Sequence, residues 1–136
     1  MNQKTCYIKD FMSAAVVTFS PDMEIMEAVR ILVEKGISGA PVLDQHGNLV
    51  GMLTEHDCIK VALNAGYYGD LGGQVSEFMH PVVETIDVDA SILDVAEKFI
   101  ANEYRRYPVV DENRLVGQIS RHDVLKALIA LASGKC

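Results

Sequence analysis

Gly51-Met-Leu-Thr-Glu-His-Asp57 and Gly117-Gln-Ile-Ser-Arg-His-Asp123 each carry the chain from an apolar, strand-like run into a helical pattern, and their reading decides the fold. Before them stand Leu49-Val-Gly-Met-Leu53 and Leu115-Val-Gly-Gln-Ile119, short runs whose glycine admits close backbone approach. Thr54 or Ser120 followed three residues later by an aspartate is a helix-capping pattern. The same junction has a second capacity. Free amides and the positive end of the helix dipole suit a phosphate, and an aspartate beside them can accept hydrogen bonds from a diol such as ribose. One copy alone reads as a cap; two copies in the same setting point to a binding role.

The setting is an internal duplication. An offset of 67 residues pairs Phe11-Met12 with Phe78-Met79, Thr18 with Thr85, Ile25 with Ile92 and Pro41-Val42 with Pro108-Val109. The turn after Asp44 is one residue longer than the turn after Asp111, so beyond it the offset is 66, pairing Gly51 with Gly117 and Asp57 with Asp123. Within each copy a short extended run, Val16-Val-Thr18 in the first, precedes a helix. Ser20 reads as its N-cap, with Pro21 at the first helical position and Ile25, Ala28, Val29 and Leu32 on its apolar face up to a stop at Gly36. In the second copy Asp87 takes the cap and Ile92, Val95, Ala96 and Phe99 the face. A hairpin follows, Ala40–Asp44 with Leu49–Leu53 and Tyr107–Asp111 with Leu115–Ile119, and then the helix capped by Thr54 or Ser120. The glycine-dense Ala65-Gly-Tyr-Tyr-Gly-Asp-Leu-Gly-Gly73 follows no strand, lacks the phosphate-loop spacing and reads as a connector. The expected organisation is a first repeat with its lead-in over 1–66, a linker over 67–74 and a second repeat over 75–136.

A chain of 136 residues, 49% of them hydrophobic, is long enough to bury a core. It carries no apolar run of about 18 residues, so neither a membrane span nor a signal peptide is expected and the cytoplasm is the expected location. Its net charge is −7, with both halves acidic, which disfavours nucleic acid as a partner. Cys6, Cys58 and Cys136 are odd in number and far apart, so free thiols are expected rather than a disulfide framework or a zinc site.

With the stretches Ile37-Ser-Gly-Ala-Pro-Val-Leu-Asp44 and Tyr104-Arg-Arg-Tyr-Pro-Val-Val-Asp111, and the lead-ins Asp10-Phe-Met-Ser13 and Glu77-Phe-Met-His80, the sequence resembles a tandem pair of cystathionine β-synthase (CBS) domains over nearly its whole length. The resemblance implies an α+β fold of two βαββα repeats packed about a pseudo-two-fold axis, forming a stand-alone module that binds AMP, ADP, ATP or S-adenosylmethionine and regulates a partner protein in trans. It implies that Asp57 and Asp123 hold ribose, that Thr54 and Ser120 stand near ribose and phosphate, and that Ile37 and Tyr104 flank the base. Thr18, Thr85 and Pro108 belong to the same expected binding set. Phosphate-binding cations are expected in the second copy only: Arg105 and Arg106 precede Pro108 where Ser38 and Gly39 precede Pro41, and Arg121 and His122 answer to Glu55 and His56.

Two other readings compete. A ligand-free interaction module is one, and a homodimer is expected in either case from apolar residues beyond one helix face, Ile31, Val33, Ile129 and Leu131. An enzyme is the other, suggested by His56-Asp57 and His122-Asp123. Metal catalysis needs three or more convergent ligands, with only His46 and His80 left to supply them, and no nucleophile elbow is present. No catalytic residue, metal or required cofactor is expected.

Overall fold

Each repeat is built round the same antiparallel hairpin. In the computed structural model, which describes residues 6–82 and 84–136, β1 (Gly39–Leu43) pairs with β2 (Leu49–Thr54), Val42 lying opposite Gly51. The first repeat continues into α2 (Glu55–Tyr68) after opening with α1 (Ile25–Lys35). A short helix, α3 (Val75–Phe78), precedes the second repeat, which comprises β3 (Ile86–Asp87), α4 (Ile92–Ala101), β4 (Arg106–Asp111), β5 (Arg114–Ser120) and α5 (Arg121–Ala132). There Val109 lies opposite Gly117, and both hairpins break register at the matching step, Val42/Leu43 and Val109/Val110.

The one-residue difference between the copies lies in the turns. Asp44 closes the longer one by accepting from the backbone amides of His46 (2.8 Å) and Asn48 (2.9 Å), with Gly47 at φ 84. These bonds hold the Asp44 carboxyl below its ordinary range, the Asn48 amide contributing most. The shorter turn places Glu112 and Asn113 at φ 50 and 68, the paired left-handed residues of a two-residue hairpin loop.

The first helix of each repeat starts later than the sequence reading expects. Ser20 and Asp87 cap nothing. Ser20 opens a turn, its carbonyl accepting from Met23 N (3.2 Å), and the α1 N-cap is Glu24, without a side-chain cap bond. Asp87 likewise folds a turn, accepting from Asp89 N at 2.8 Å, while Ser91 caps α4 in a full capping box with Asp94. Aspartate and serine serve turns and caps through the same local hydrogen bonds, so residue type alone does not separate the two uses. The helix faces themselves are as expected, with Ile25, Ala28 and Leu32 buried in α1 and Ile92 and Val95 in α4, and α1 stops at Gly36 with φ 63. The leading strand of the first repeat shrinks to one parallel bridge, Phe19 to Val42, just past the expected Val16–Thr18, whereas β3 runs parallel to β4 over two residues. The helix α2 continues through Tyr68 and ends at Gly69 with φ 69, so the glycine-dense segment begins as the last helical turn.

In space the lead-ins are exchanged. One unit comprises residues 17–82; the other joins 6–16 to 84–136. Ser13 exchanges backbone hydrogen bonds with Gln118 (both 2.9 Å), and His80 does so with Met52 (2.9 and 3.0 Å). Gly117 and Gly51 admit these crossings: a Cβ at Gly117 would lie 2.8 Å from Ser13 O, and one at Gly51 would lie 3.1 Å from His80 O. Each unit has its own core. Ile8 packs with Ile86, Ile92, Tyr107 and Ile119, and Val75 with Phe19, Ile25, Val42 and Leu53.

The same exchange overturns the expectation of free thiols for two of the three cysteines. Cys6, 3% exposed in the second repeat's core, is joined to Cys136 in a disulfide, with Cα atoms 4.9 Å apart across a sequence separation of 130. Cys58 is a free, half-buried cysteine. Among the described residues no helix is long and apolar enough to cross a membrane.

Candidate functional site

Two strand-to-helix junctions carry the residues singled out in the sequence. In the first, Thr54 Oγ1 accepts from Asp57 N (3.3 Å) while Thr54 N donates to Asp57 Oδ2 (2.9 Å). In the second, Ser120 Oγ accepts from Asp123 N (3.2 Å) and Ser120 N donates to Asp123 Oδ2 (2.9 Å). Both are complete capping boxes, in which the hydroxyl and the carboxylate each satisfy an amide that the helix itself leaves open. β2 and β5 deliver the hydroxyls, and the helical turn returns the aspartates to them.

The expected site residues divide between the two units. Thr18, Ile37, Thr54 and Asp57 lie in the first; Thr85, Tyr104, Arg105, Arg106, Pro108, Ser120, Arg121, His122 and Asp123 lie in the second. Within the second unit the structure gathers most of them. Arg106 lies opposite Ser120 in the β4–β5 register, which puts the two on one face of the hairpin. Arg121 donates from its backbone to Arg105 O (3.1 Å) and from Nε to Tyr104 O (3.0 Å), pinning the Tyr104–Arg106 stretch to the start of α5. Tyr104 stacks edge-on against the buried Tyr107, ring centroids 5.4 Å apart. Arg105, Arg106, Arg121 and His122 are exposed, Thr85 is half-buried with its carbonyl accepting from Lys98 Nζ (3.0 Å), and Pro108 is buried within β4. In the first unit Glu55 N makes the bond to Ser38 O (2.9 Å) that answers to Arg121 and Arg105, but brings no cation. Ile37 follows the αL stop of α1 and packs against the core, and Thr18 is half-buried beside the Phe19 bridge.

The carboxylates differ in their surroundings. Asp57 is 4% exposed, the one charged side chain buried among the described residues, and its Oδ2 also receives Thr54 Oγ1 (3.0 Å) and lies 2.7 Å from His80 Nδ1. Beside a carboxylate, that nitrogen carries the proton. Asp123 is less enclosed and faces Lys126 Nζ at 3.1 Å through Oδ1. His80 stands outside the expected binding set. Its signal was available only through pairing: once the Glu77-Phe-Met-His80 lead-in is laid on Gly51, its last residue arrives beside Asp57. Cys58, next to Asp57, has its thiol pushed up by burial first and by the charges of Asp57 and Glu55 second. Among the described residues no three His, Cys, Asp or Glu side chains converge to hold a metal ion.

Comparison with known proteins places this geometry. The CBS domain family model matches twice, over residues 8–64 and 75–130. The protein MJ1225 of Methanocaldococcus jannaschii is 30% identical over 121 residues, which are 89% of this chain and 42% of that protein, so the chain spans less than half of this relative. Among solved structures, CBSX2 in complex with AMP superposes with a TM-score of 0.78 at 27% identity, covering 93% of this chain and 98% of that one. The CBS domain pair of MJ0100, solved with 5′-methylthioadenosine and S-adenosyl-L-methionine, gives a TM-score of 0.71 at 30% identity, covering 98% of this chain and all of that one. Two repeats with the same cap, hairpin and lead-in, each matched by the family model, lead to one assignment: the chain belongs to the CBS domain family and has the CBS-pair fold.

Proposed function

We propose that this chain binds an adenosine nucleotide at its strand-to-helix junctions and acts in trans as a regulatory module on a partner protein. The observation that carries this is the repeated capping box, which sets a hydroxyl and a carboxylate at a helix start twice, on a fold whose solved relatives hold AMP, 5′-methylthioadenosine and S-adenosyl-L-methionine. In this reading Asp57 and Asp123 accept from ribose hydroxyls, and Thr54 and Ser120 stand at ribose and phosphate. Arg105, Arg106 and Arg121 neutralise phosphate, with His122 beside them. Ile37 and Tyr104 flank the base, and Thr18, Thr85 and Pro108 complete its surroundings. In this reading the module is a regulator rather than an enzyme. We place it in the cytoplasm, where such nucleotides are held.

The test is thermal unfolding with AMP, ADP, ATP and S-adenosylmethionine, together with mass spectrometry of any small molecule released on denaturation. At one hundred times its Kd a ligand contributes about 2.7 kcal/mol to the native state, an increase in Tm of several degrees. No shift with any of the four at millimolar concentration, and no released nucleotide, would refute the proposal.

A ligand-free dimerisation module is the second reading, favoured by apolar side chains left exposed on two helices: Ile59 and Leu63 of α2, Leu125 and Ile129 of α5. Of the four residues expected to mark a dimer face, Val33 and Ile129 are exposed, whereas Ile31 and Leu131 pack against their units' cores. A homodimer fits both readings, and the ligand titration separates them.

A further inference from the structure

We infer that His80 is a built-in competitor for the first ribose site, holding by its imidazole the carboxylate oxygen that an incoming ribose needs. This rests on the proposal that Asp57 receives ribose, and it concerns what stands in the way.

An oxygen of a carboxylate offers about two lone-pair directions. Asp57 Oδ2 already meets three donors: Thr54 N at 2.9 Å, Thr54 Oγ1 at 3.0 Å and His80 Nδ1 at 2.7 Å. A cis-diol that engages both carboxylate oxygens must displace one of them. Thr54 N belongs to the capping box and its loss would open the start of α2, while the Thr54 hydroxyl is held at the carboxylate because it accepts from Asp57 N in the same box. His80 can leave. Its backbone is fixed by two hydrogen bonds to Met52, whereas its side chain is 47% exposed and can swing into solvent with the main chain in place.

The second repeat supplies the comparison. Ser13 occupies the corresponding lead-in position, with the same reciprocal backbone bonds to Gln118, but it has no imidazole. The partner of Asp123 beyond its cap is Lys126, a half-exposed lysine one turn on along the same helix, whose long side chain is free to leave the carboxylate for solvent. The backbone frame is shared; the occupied carboxylate is peculiar to the first repeat. Breaking a short hydrogen bond to a buried carboxylate lowers ligand affinity roughly tenfold when the ligand restores only part of it.

The test is calorimetric titration of adenosine and AMP in an Asp123→Asn background, which leaves the Asp57 site to be read, with His80 or with His80→Ser, the residue found at the matching place. His80→Asn serves as a second variant, and each protein is first checked by circular dichroism. The inference predicts that both substitutions tighten adenosine roughly tenfold. It also predicts that AMP shifts the His80 ring nitrogen signals in the NMR spectrum of the otherwise unaltered protein, whereas 2′,3′-dideoxyadenosine, lacking the diol, does not. Equal or weaker binding by the variants overturns the inference. So does binding by the unaltered protein that vanishes in the Asp123→Asn background with either residue at position 80; the nucleotide proposal would then stand on the second site alone. Absence of any adenosine binding in every protein overturns the proposal and the inference together.

Discussion

The two junctions share a backbone and differ in what surrounds it. In the first repeat Asp57 is buried under an imidazole and Ser38 and Gly39 stand in the stretch leading to Pro41; in the second Asp123 is less enclosed and faces Lys126, and the matching stretch carries Arg105 and Arg106. Both copies retain the elements that build the helix start: the hydroxyl, the aspartate three residues on, and the glycine under the lead-in. What differs is charge and access. Duplication has therefore kept a fixed frame while giving its two sites unequal chemistry, and the inequality can be tested from either side.

The largest effect should come from the cations. If Arg106 meets a nucleotide phosphate, a charge-assisted hydrogen bond contributes about 1.5–3 kcal/mol, so Arg106→Ala should weaken AMP roughly 10- to 100-fold by calorimetry and leave adenosine nearly unchanged. Ser38→Ala, in the matching stretch of the first repeat, should leave AMP binding as it was. Equal losses for AMP and adenosine would show that Arg106 acts through the fold and not through phosphate.

Next come the glycines. Gly117→Ala drives a methyl to 2.8 Å from the Ser13 carbonyl, a backbone atom, whereas Gly51→Ala meets His80 O at 3.1 Å and the flexible Met79 Sδ at 2.9 Å. Overpacking of this kind costs about 1–3 kcal/mol, and urea unfolding should place Gly117→Ala in the upper part of that range and Gly51→Ala in the lower. The reverse order would mean that the two lead-ins are not seated alike.

A smaller difference is expected at the first helix of each repeat. Ser91→Ala removes a side-chain cap and should cost about 1 kcal/mol, while Glu24→Ala, at an N-cap with no side-chain bond, should stay within about 0.5 kcal/mol. Cys58 gives the smallest effect, a rate. It stands where the second repeat has Val124, and its raised thiol holds little thiolate at neutral pH. Iodoacetamide should label it several-fold more slowly than a cysteine peptide at about pH 7.5, with the gap closing as pH rises; Cys6 and Cys136 should react only after reduction.

The sequence made the local features legible and left the exchanged ones hidden. The hairpins, the turns within them and the Thr54 and Ser120 caps depend on neighbours within a few residues, and local pattern locates all of them. Ser20 and Asp87 were misread because a turn and a cap draw on the same short polar side chains. The disulfide and the His80–Asp57 contact depend on which hairpin each lead-in joins. Both copies carry the same Phe-Met step and the same receiving glycine, so either pairing satisfies the pattern. Once 6–16 crosses to the second repeat, Cys6 reaches Cys136; once 75–82 crosses to the first, His80 reaches Asp57. Of the expected site, the second unit's cluster around Ser120 follows from strand register, whereas the burial of Asp57 does not.

The most direct measurement is AMP calorimetry on the unaltered protein beside Asp57→Asn, Asp123→Asn and the double variant, since the asparagine oxygen can still accept the Thr54 or Ser120 amide in the capping box while the charge proposed to hold a diol is removed. The account predicts saturable binding by the unaltered protein, partial loss in at least one single variant and abolition in the double, with folded circular dichroism spectra throughout. Binding that survives unchanged in the double variant, or no AMP binding by the unaltered protein, would contradict it.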